Sequence, residues 1–137
     1  MSDSRVEKSL EGFREFCRKQ FGKVLPHQEL FGRYYPECLQ KWMEGRQFLF
    51  KEPPEGALTL REKELVAIAI EIVVRKPDVS YHVKKAMDEG ATAKQIAEIA
   101  GICIFLGGMV TFVESGQHAL RVAEEYSKEL GSRKKPR

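Results

Sequence analysis

The run Leu65-Val66-Ala67-Ile68-Ala69-Ile70-Glu71-Ile72-Val73-Val74 limits the fold more tightly than any other part of the chain, because Glu71 is its one polar residue. Thr59, followed three residues later by Glu62, forms a capping box ahead of it, so the segment is predicted as a helix running to about Arg75. A helix that is apolar on every face has to be buried on every face. A chain of 137 residues has little material to do this alone, since small domains leave much apolar surface uncovered. Part of this helix is therefore expected to face another subunit.

The rest of the chain is also helical in period. Ser4 and Glu7 make a capping box, and Val6, Leu10, Phe13, Cys17 and Phe21 recur at helical spacing until Gly22. A broken stretch with room for one short helix follows around Pro26. A second periodic segment runs from Pro36 to about Phe50, with Leu39, Trp42, Met43 and Leu49 on one side. Lys51-Glu52-Pro53-Pro54-Glu55-Gly56 reads as a loop. Beyond Arg75, Pro77 restarts the chain as a helix through Met87, ended by Gly90. Thr92 and Gln95 cap another helix through about Phe105, Gly107-Gly108 break it, and a long last helix runs to about Leu130. Nothing alternates with period two, so the expected fold is all-α, with about six or seven helices. The expected division is an N-terminal helical segment packing on the core (residues 1–58), a helical core (59–130) and a disordered basic tail (131–137).

The formal net charge of +3 hides an uneven distribution. Arg133, Lys134, Lys135 and Arg137 supply four of the 23 basic residues, and no acid lies among them, so the body of the chain is close to neutral. A nucleic-acid-binding domain carries its basic surface on the fold, and no nucleic-acid partner is expected. Cys17, Cys38 and Cys103 are odd in number and widely spaced, which fits neither a disulfide framework nor a zinc site but reduced thiols. The polar N-terminus is unlike a secretory leader. The longest uncharged run, Ile99 to Val113, is interrupted by Gly101, Gly107 and Gly108 and falls short of the roughly 20 apolar residues needed to span a bilayer. The expected setting is cytoplasmic, with no membrane partner.

The order of features in the second half resembles the carboxymuconolactone decarboxylase/AhpD-like family. The resemblance rests on Glu62-Lys63-Glu64-Leu65-Val66-Ala67-Ile68-Ala69-Ile70, then His82, then Ala86 through Glu89-Gly90-Ala91-Thr92, then Gln95-Ile96-Ala97-Glu98, and finally Gly107-Gly108. It covers roughly Thr59 to Tyr126. It implies an all-α fold and a homo-oligomer, a hexamer or a trimer. Peroxidases of this family use Cys-x-x-Cys with the second cysteine four residues before the histidine, because one thiolate attacks peroxide and a second thiol resolves the product. Here those positions hold Arg75 and Asp78. The interval from Glu64 to His82 is also about one residue shorter than in the thiol members, which implies a changed helix junction.

The decarboxylase branch is closer, with Asp78-Val79-Ser80-Tyr81-His82 matching its acid-aliphatic-x-x-His stretch. The resemblance implies removal of carbon dioxide from a small carboxylated lactone or related acid, with no metal and no organic cofactor. Such chemistry needs a seat for the leaving carboxylate, polarisation of the lactone carbonyl and a proton donor at carbon. His82, Glu64 and Asp78 are the candidate catalytic residues; Arg75, Lys76 and Glu71 are the candidate substrate-binding residues. Asp78 lies one helical turn before His82, a spacing at which a carboxylate can pair with an imidazole. Glu71, seven residues after Glu64 and so on nearly the same face, either pairs structurally with Arg75 one turn on or joins the site; a buried acid is costly unless paired.

Bland readings stand beside these. His82 can be an ordinary structural hydrogen-bonding residue, Cys103 reads as core packing, and His118 pairs most simply with Glu114 one turn earlier on the surface. His27 and Cys38 carry no functional signal, and His82 with His118 forms no recognised metal-ligand spacing. Two other functions compete with the lyase: a divergent peroxidase using Cys103 or a partner's thiol, and a non-catalytic oligomeric binding protein.

Overall fold

The computed structural model describes residues 4–133, and every regular element among them is helical. The chain divides into two compact units, Met1–Phe50 and Lys51–Arg137. The division falls ahead of residue 59, where the core was expected to begin. The reason is local: the 51–59 loop folds onto the helix it precedes. Glu52 Oε1 accepts from the Leu60 N–H at 3.2 Å, and Lys63 Nζ donates to the Lys51 carbonyl.

The first unit holds α1 (Ser4–Phe21), α2 (Pro26–Gly32) and α3 (Pro36–Leu49). Leu10, Phe13, Cys17 and Met43 are its buried centre. Gly32 is required there, since a Cβ at that position would stand 2.8 Å from the Phe13 ring. Arg14 ties α1 to α2 by donating from Nε and Nη2 to both carboxylate oxygens of Glu29. Of the stripe expected on α3, Met43 is buried and Leu39 partly so, whereas Trp42 and Leu49 are exposed. Three helices are too few to cover both edges of that stripe.

The second unit holds α4 (Leu60–Val73), α5 (Ser80–Asp88), α6 (Ala93–Gly107), a single turn α7 (Met109–Thr111), a π-helical turn (Phe112–Gly116) and α8 (Gln117–Arg133). α4 packs against α5 and α6, and both of those pack against α8. Ile68, Ile72, Val79, Val83, Ile96 and Ala119 are fully buried between them. Both capping boxes expected in this unit form. Glu62 N–H donates to Thr59 Oγ1 at 3.2 Å while Thr59 N–H donates to Glu62 Oε2 at 2.8 Å, and Thr92 with Gln95 repeats the pattern. Cys103 lies in the core, as its apolar surroundings in sequence imply.

Helices α4 and α5 end in the same way with different residues. Gly90 at φ +92° closes α5, with its N–H on the Met87 carbonyl and the Ala91 N–H on the Ala86 carbonyl. Arg75 at φ +59° closes α4, with its N–H on the Ile72 carbonyl and the Lys76 N–H on the Glu71 carbonyl. Both are the left-handed cap that glycine usually fills. Arginine there costs about 1–2 kcal/mol in backbone strain.

Several expected boundaries move. α5 begins at Ser80 and not at Pro77, because Asp78 makes a turn ahead of it. Its carboxylate accepts from Ser80 N–H at 2.9 Å and from Ser80 Oγ at 2.6 Å. The π turn interrupts the last helix, a feature without a sequence signal. α8 continues to Arg133, so residues 131–133 are helical where a tail was expected to start; Ser132 Oγ donates to the Glu129 carbonyl at 2.7 Å, and Arg133 lies over the Tyr126 ring. Residues 134–137 of the expected tail lie outside the described residues. No helix among the described residues is long and apolar enough to cross a membrane.

Candidate active site

The capping box starts α4 at Leu60, so Glu64 falls one turn inside the helix, and the seven-residue interval returns Glu71 to the same face. That face meets α5. His82, in the first turn of α5, lies between the two acids. Its Nδ1 is 2.5 Å from Glu64 Oε2, and its Nε2 is 3.7 Å from Glu71 Oε1. The cluster is covered, with side-chain exposures of 4% for Glu64, 13% for Glu71 and 15% for His82. Tyr81 stands edge-on to the imidazole with ring centroids 5.0 Å apart.

The contact with Glu64 at Nδ1 fixes the ring and turns Nε2 toward Glu71. Glu71 Oε1 also accepts from Lys76 Nζ, so one carboxylate is shared between an ammonium and the imidazole. Its other oxygen, Oε2, is buried with no hydrogen-bond partner. The structure thus brings together four of the six expected site residues: His82, Glu64, Glu71 and Lys76.

Asp78 is not among them. The one-turn rule applies inside a helix, and Asp78 precedes the first residue of α5. It turns instead to Ser80 and to His118, whose Nε2 is 3.4 Å from Asp78 Oδ1. The Ser80 hydroxyl, then the Ser80 N–H and His118, hold the Asp78 carboxyl below the usual carboxylate range. Asp78 therefore neither orients His82 nor shares its surroundings. The expected Glu71–Arg75 pair is absent for a similar reason. Helix α4 has ended, the left-handed Arg75 points away, and its Nε reaches to 3.7 Å from Glu114 Oε2. Glu71 takes Lys76 in its place.

His118 and Glu114 do not pair with each other either. The wide π turn between them moves residues four apart off a common face, so Glu114 goes to Arg75 and His118 to Asp78. Ser115 was not anticipated from sequence. Fully buried, it donates from Oγ to the Lys76 carbonyl at 2.6 Å and anchors the turn that carries Arg75 and Lys76. A single serine between Glu114 and Gly116 gives no signal of such a role.

The thiols lie elsewhere. Cys17 and Cys103 are buried, and desolvation pushes both above the ordinary thiol pKa, while Cys38 is exposed. Among the described residues no group of three or more His, Cys, Asp and Glu is arranged to hold a metal ion.

Fold and site together define an all-α protein with a covered carboxylate–imidazole–carboxylate cluster. The sequence model of the Carboxymuconolactone decarboxylase family matches residues 36–125, about two thirds of the chain, and the chain belongs to that family. A search of curated proteins gives no match. Among solved structures, the chain is similar to a protein from Burkholderia xenovorans LB400 whose assignment as a carboxymuconolactone decarboxylase is itself provisional. The TM-score is 0.78 at 22% identity, covering 95% of this chain and 99% of that one. At that identity the likeness shows the fold.

Proposed function

We propose that the protein is an acid–base enzyme, a cofactor-free lyase that releases carbon dioxide from a small carboxylated lactone or related acid. The observation that carries this reading is the covered His82, held at Nδ1 by Glu64 with Nε2 directed to the Glu71–Lys76 pair. In the reaction the bond between substrate carbon and carboxylate breaks, and its electron pair delocalises onto the lactone carbonyl. Nε2 of His82 delivers a proton to carbon as carbon dioxide leaves, and solvent returns that proton. Lys76 supplies positive charge for the substrate carboxylate. Positioned acid–base groups of this kind contribute about 10²–10⁴-fold in rate.

A peroxidase reading has less support, because a peroxide-attacking thiol must be a thiolate. Cys103 and Cys17 are buried with raised pKa, and Cys38 has no second cysteine at resolving spacing. A non-catalytic binding protein would keep the fold and need none of this proton-transfer geometry. The proposal extends to a cytoplasmic homo-oligomer, hexameric or trimeric.

The deciding experiment is carbon dioxide release from a panel of carboxylated lactones, run with the parent protein and His82→Gln. Release that depends on His82 supports the lyase. Cysteine-dependent turnover of an organic hydroperoxide, with no release from any acid, would overturn it.

A further inference from the structure

We infer that Ser115 is a positioning residue of the His82 site: its hydroxyl holds the Lys76 peptide and so keeps the Lys76 ammonium on Glu71, beside Nε2 of His82. Ser115 Oγ donates to the Lys76 carbonyl at 2.6 Å, and Ser115 is fully buried. The Lys76 N–H donates to the Glu71 carbonyl at 2.9 Å, and Lys76 Nζ donates to Glu71 Oε1. Lys76 is thus held at its carbonyl, its amide and its side chain, and the last two holds end on Glu71. Glu71 Oε1 is in turn 3.7 Å from His82 Nε2. Among the described residues, the charged groups facing His82 are Glu64 and Glu71 of α4, with Lys76 of the junction behind Glu71.

The hold is needed because the junction between α4 and α5 is not fixed by helical geometry. Residues three or four apart share a helix face, and Glu71 and Lys76 are five apart. They meet because the chain turns back at Arg75, at φ +59°. A left-handed conformation at a residue other than glycine persists only where its surroundings over-determine it. The π turn supplies that determination.

The π turn and the residues after it meet the junction in register. Glu114 Oε2 lies 3.7 Å from Arg75 Nε, Ser115 takes the Lys76 carbonyl, and His118 Nε2 lies 3.4 Å from Asp78 Oδ1. The two ion pairs join exposed side chains, and such pairs contribute little. The Ser115 hydrogen bond is the buried member of the three, shielded from competing water, and it carries the hold. Gly116 lets the turn lie this close: a Cβ there would stand 3.1 Å from the Phe112 ring and 3.6 Å from Ile72 Cγ2. π-helical turns recur at functional sites, and this one grips the residue whose ammonium reaches the His82 cluster. The functional consequence rests on the site reading above; the hold on Lys76 does not.

Acetylation of the native full chain with acetic anhydride, read by peptide mass spectrometry, tests the hold. Ser115→Ala should raise the Lys76 rate several-fold relative to the exposed Lys85 and Lys94. Glu71→Gln should do the same, and the double variant should be no faster than the faster single one, because both changes break one arrangement. In protein carrying nitrogen-15 histidine, the Nε2 resonance of His82 should move in the same direction in Ser115→Ala and in Lys76→Gln. Ser115→Ala should add nothing to that shift in the Lys76→Gln background. A merely structural serine would lower the melting temperature and leave both readouts at their parent values. That result, or effects that multiply in the double variants, overturns the proposal. Should Ser115→Ala fail to fold, Ser115→Cys, of similar shape but with a weak donor, takes its place with the same expected and overturning results. Neither readout uses a substrate. Full carbon dioxide release by His82→Gln would therefore reject the lyase reading and leave the role of Ser115 standing. An unmoved Lys76 rate beside His82-dependent release would do the reverse.

Discussion

Nδ1 of His82 lies 2.5 Å from Oε2 of Glu64, and Glu64 is almost completely covered. Each side chain therefore solves the other's problem. The carboxylate is buried with a donor, and the ring is held in one orientation with its second nitrogen toward Glu71. A buried carboxylate that loses its donor carries the desolvation penalty unrelieved.

His82→Ala and His82→Gln should therefore differ in stability while agreeing in activity. Both remove the proton-transfer nitrogen and should lower turnover by about 10²–10⁴-fold. His82→Ala also strands Glu64 and should cost about 1–3 kcal/mol, whereas His82→Gln retains an N–H donor and should cost less. Urea unfolding beside steady-state rates checks this. Equal stability of the two variants would mean that Glu64 does not depend on the ring.

Asp78→Asn should leave turnover nearly intact, because Asp78 faces Ser80 and His118 and not His82. Its effect should appear in the pH dependence of stability. The folded carboxyl titrates below its unfolded value, held there first by the Ser80 hydroxyl. The resulting stabilisation is present above the unfolded pKa of about 3.9 and disappears as pH falls through the folded value. Parent and Asp78→Asn should thus differ slightly in urea midpoint at pH 7 and converge near the acid limit; a gap that widens on acidification contradicts the assignment.

Arg75→Gly and Arg75→Ala both delete the contact with Glu114, so their difference isolates the backbone. At φ +59° glycine is unstrained and alanine is not. Arg75→Gly should be about 1 kcal/mol more stable than Arg75→Ala. Thermal unfolding of the pair reads this directly, and equal melting temperatures would show that the turn relaxes away from the left-handed conformation.

Ile72→Ala, at a fully buried position, should cost about 2–5 kcal/mol. Ile70 is more than half exposed, so Ile70→Ala should scarcely change unfolding of the single chain and should weaken the proposed self-association. Comparing melts across protein concentration separates the two. A large, concentration-independent loss for Ile70→Ala would place that side chain inside the subunit core.

His82 joined the site through the family resemblance, but the sequence alone determined the helical class, the capping boxes of α4 and α6 and the shared face of Glu64 and Glu71. Those are local or periodic properties: a cap needs residues three apart, and a seven-residue interval places Glu64 and Glu71 on one face wherever the helix packs. The pairing of charges was decided by tertiary structure. Asp78, Arg75, Glu114 and His118 all stand at one-turn spacings that suggest partners within a helix, and none takes that partner. Asp78 precedes its helix, Arg75 follows the end of its own, and a π turn separates Glu114 from His118. Where a helix begins, stops or widens depends on what the neighbouring segments offer the backbone, as Ser115 does for the Lys76 carbonyl. A shift of one or two residues at such a boundary swings a side chain to another face, and the partner it meets is set by packing between helices far apart in the chain.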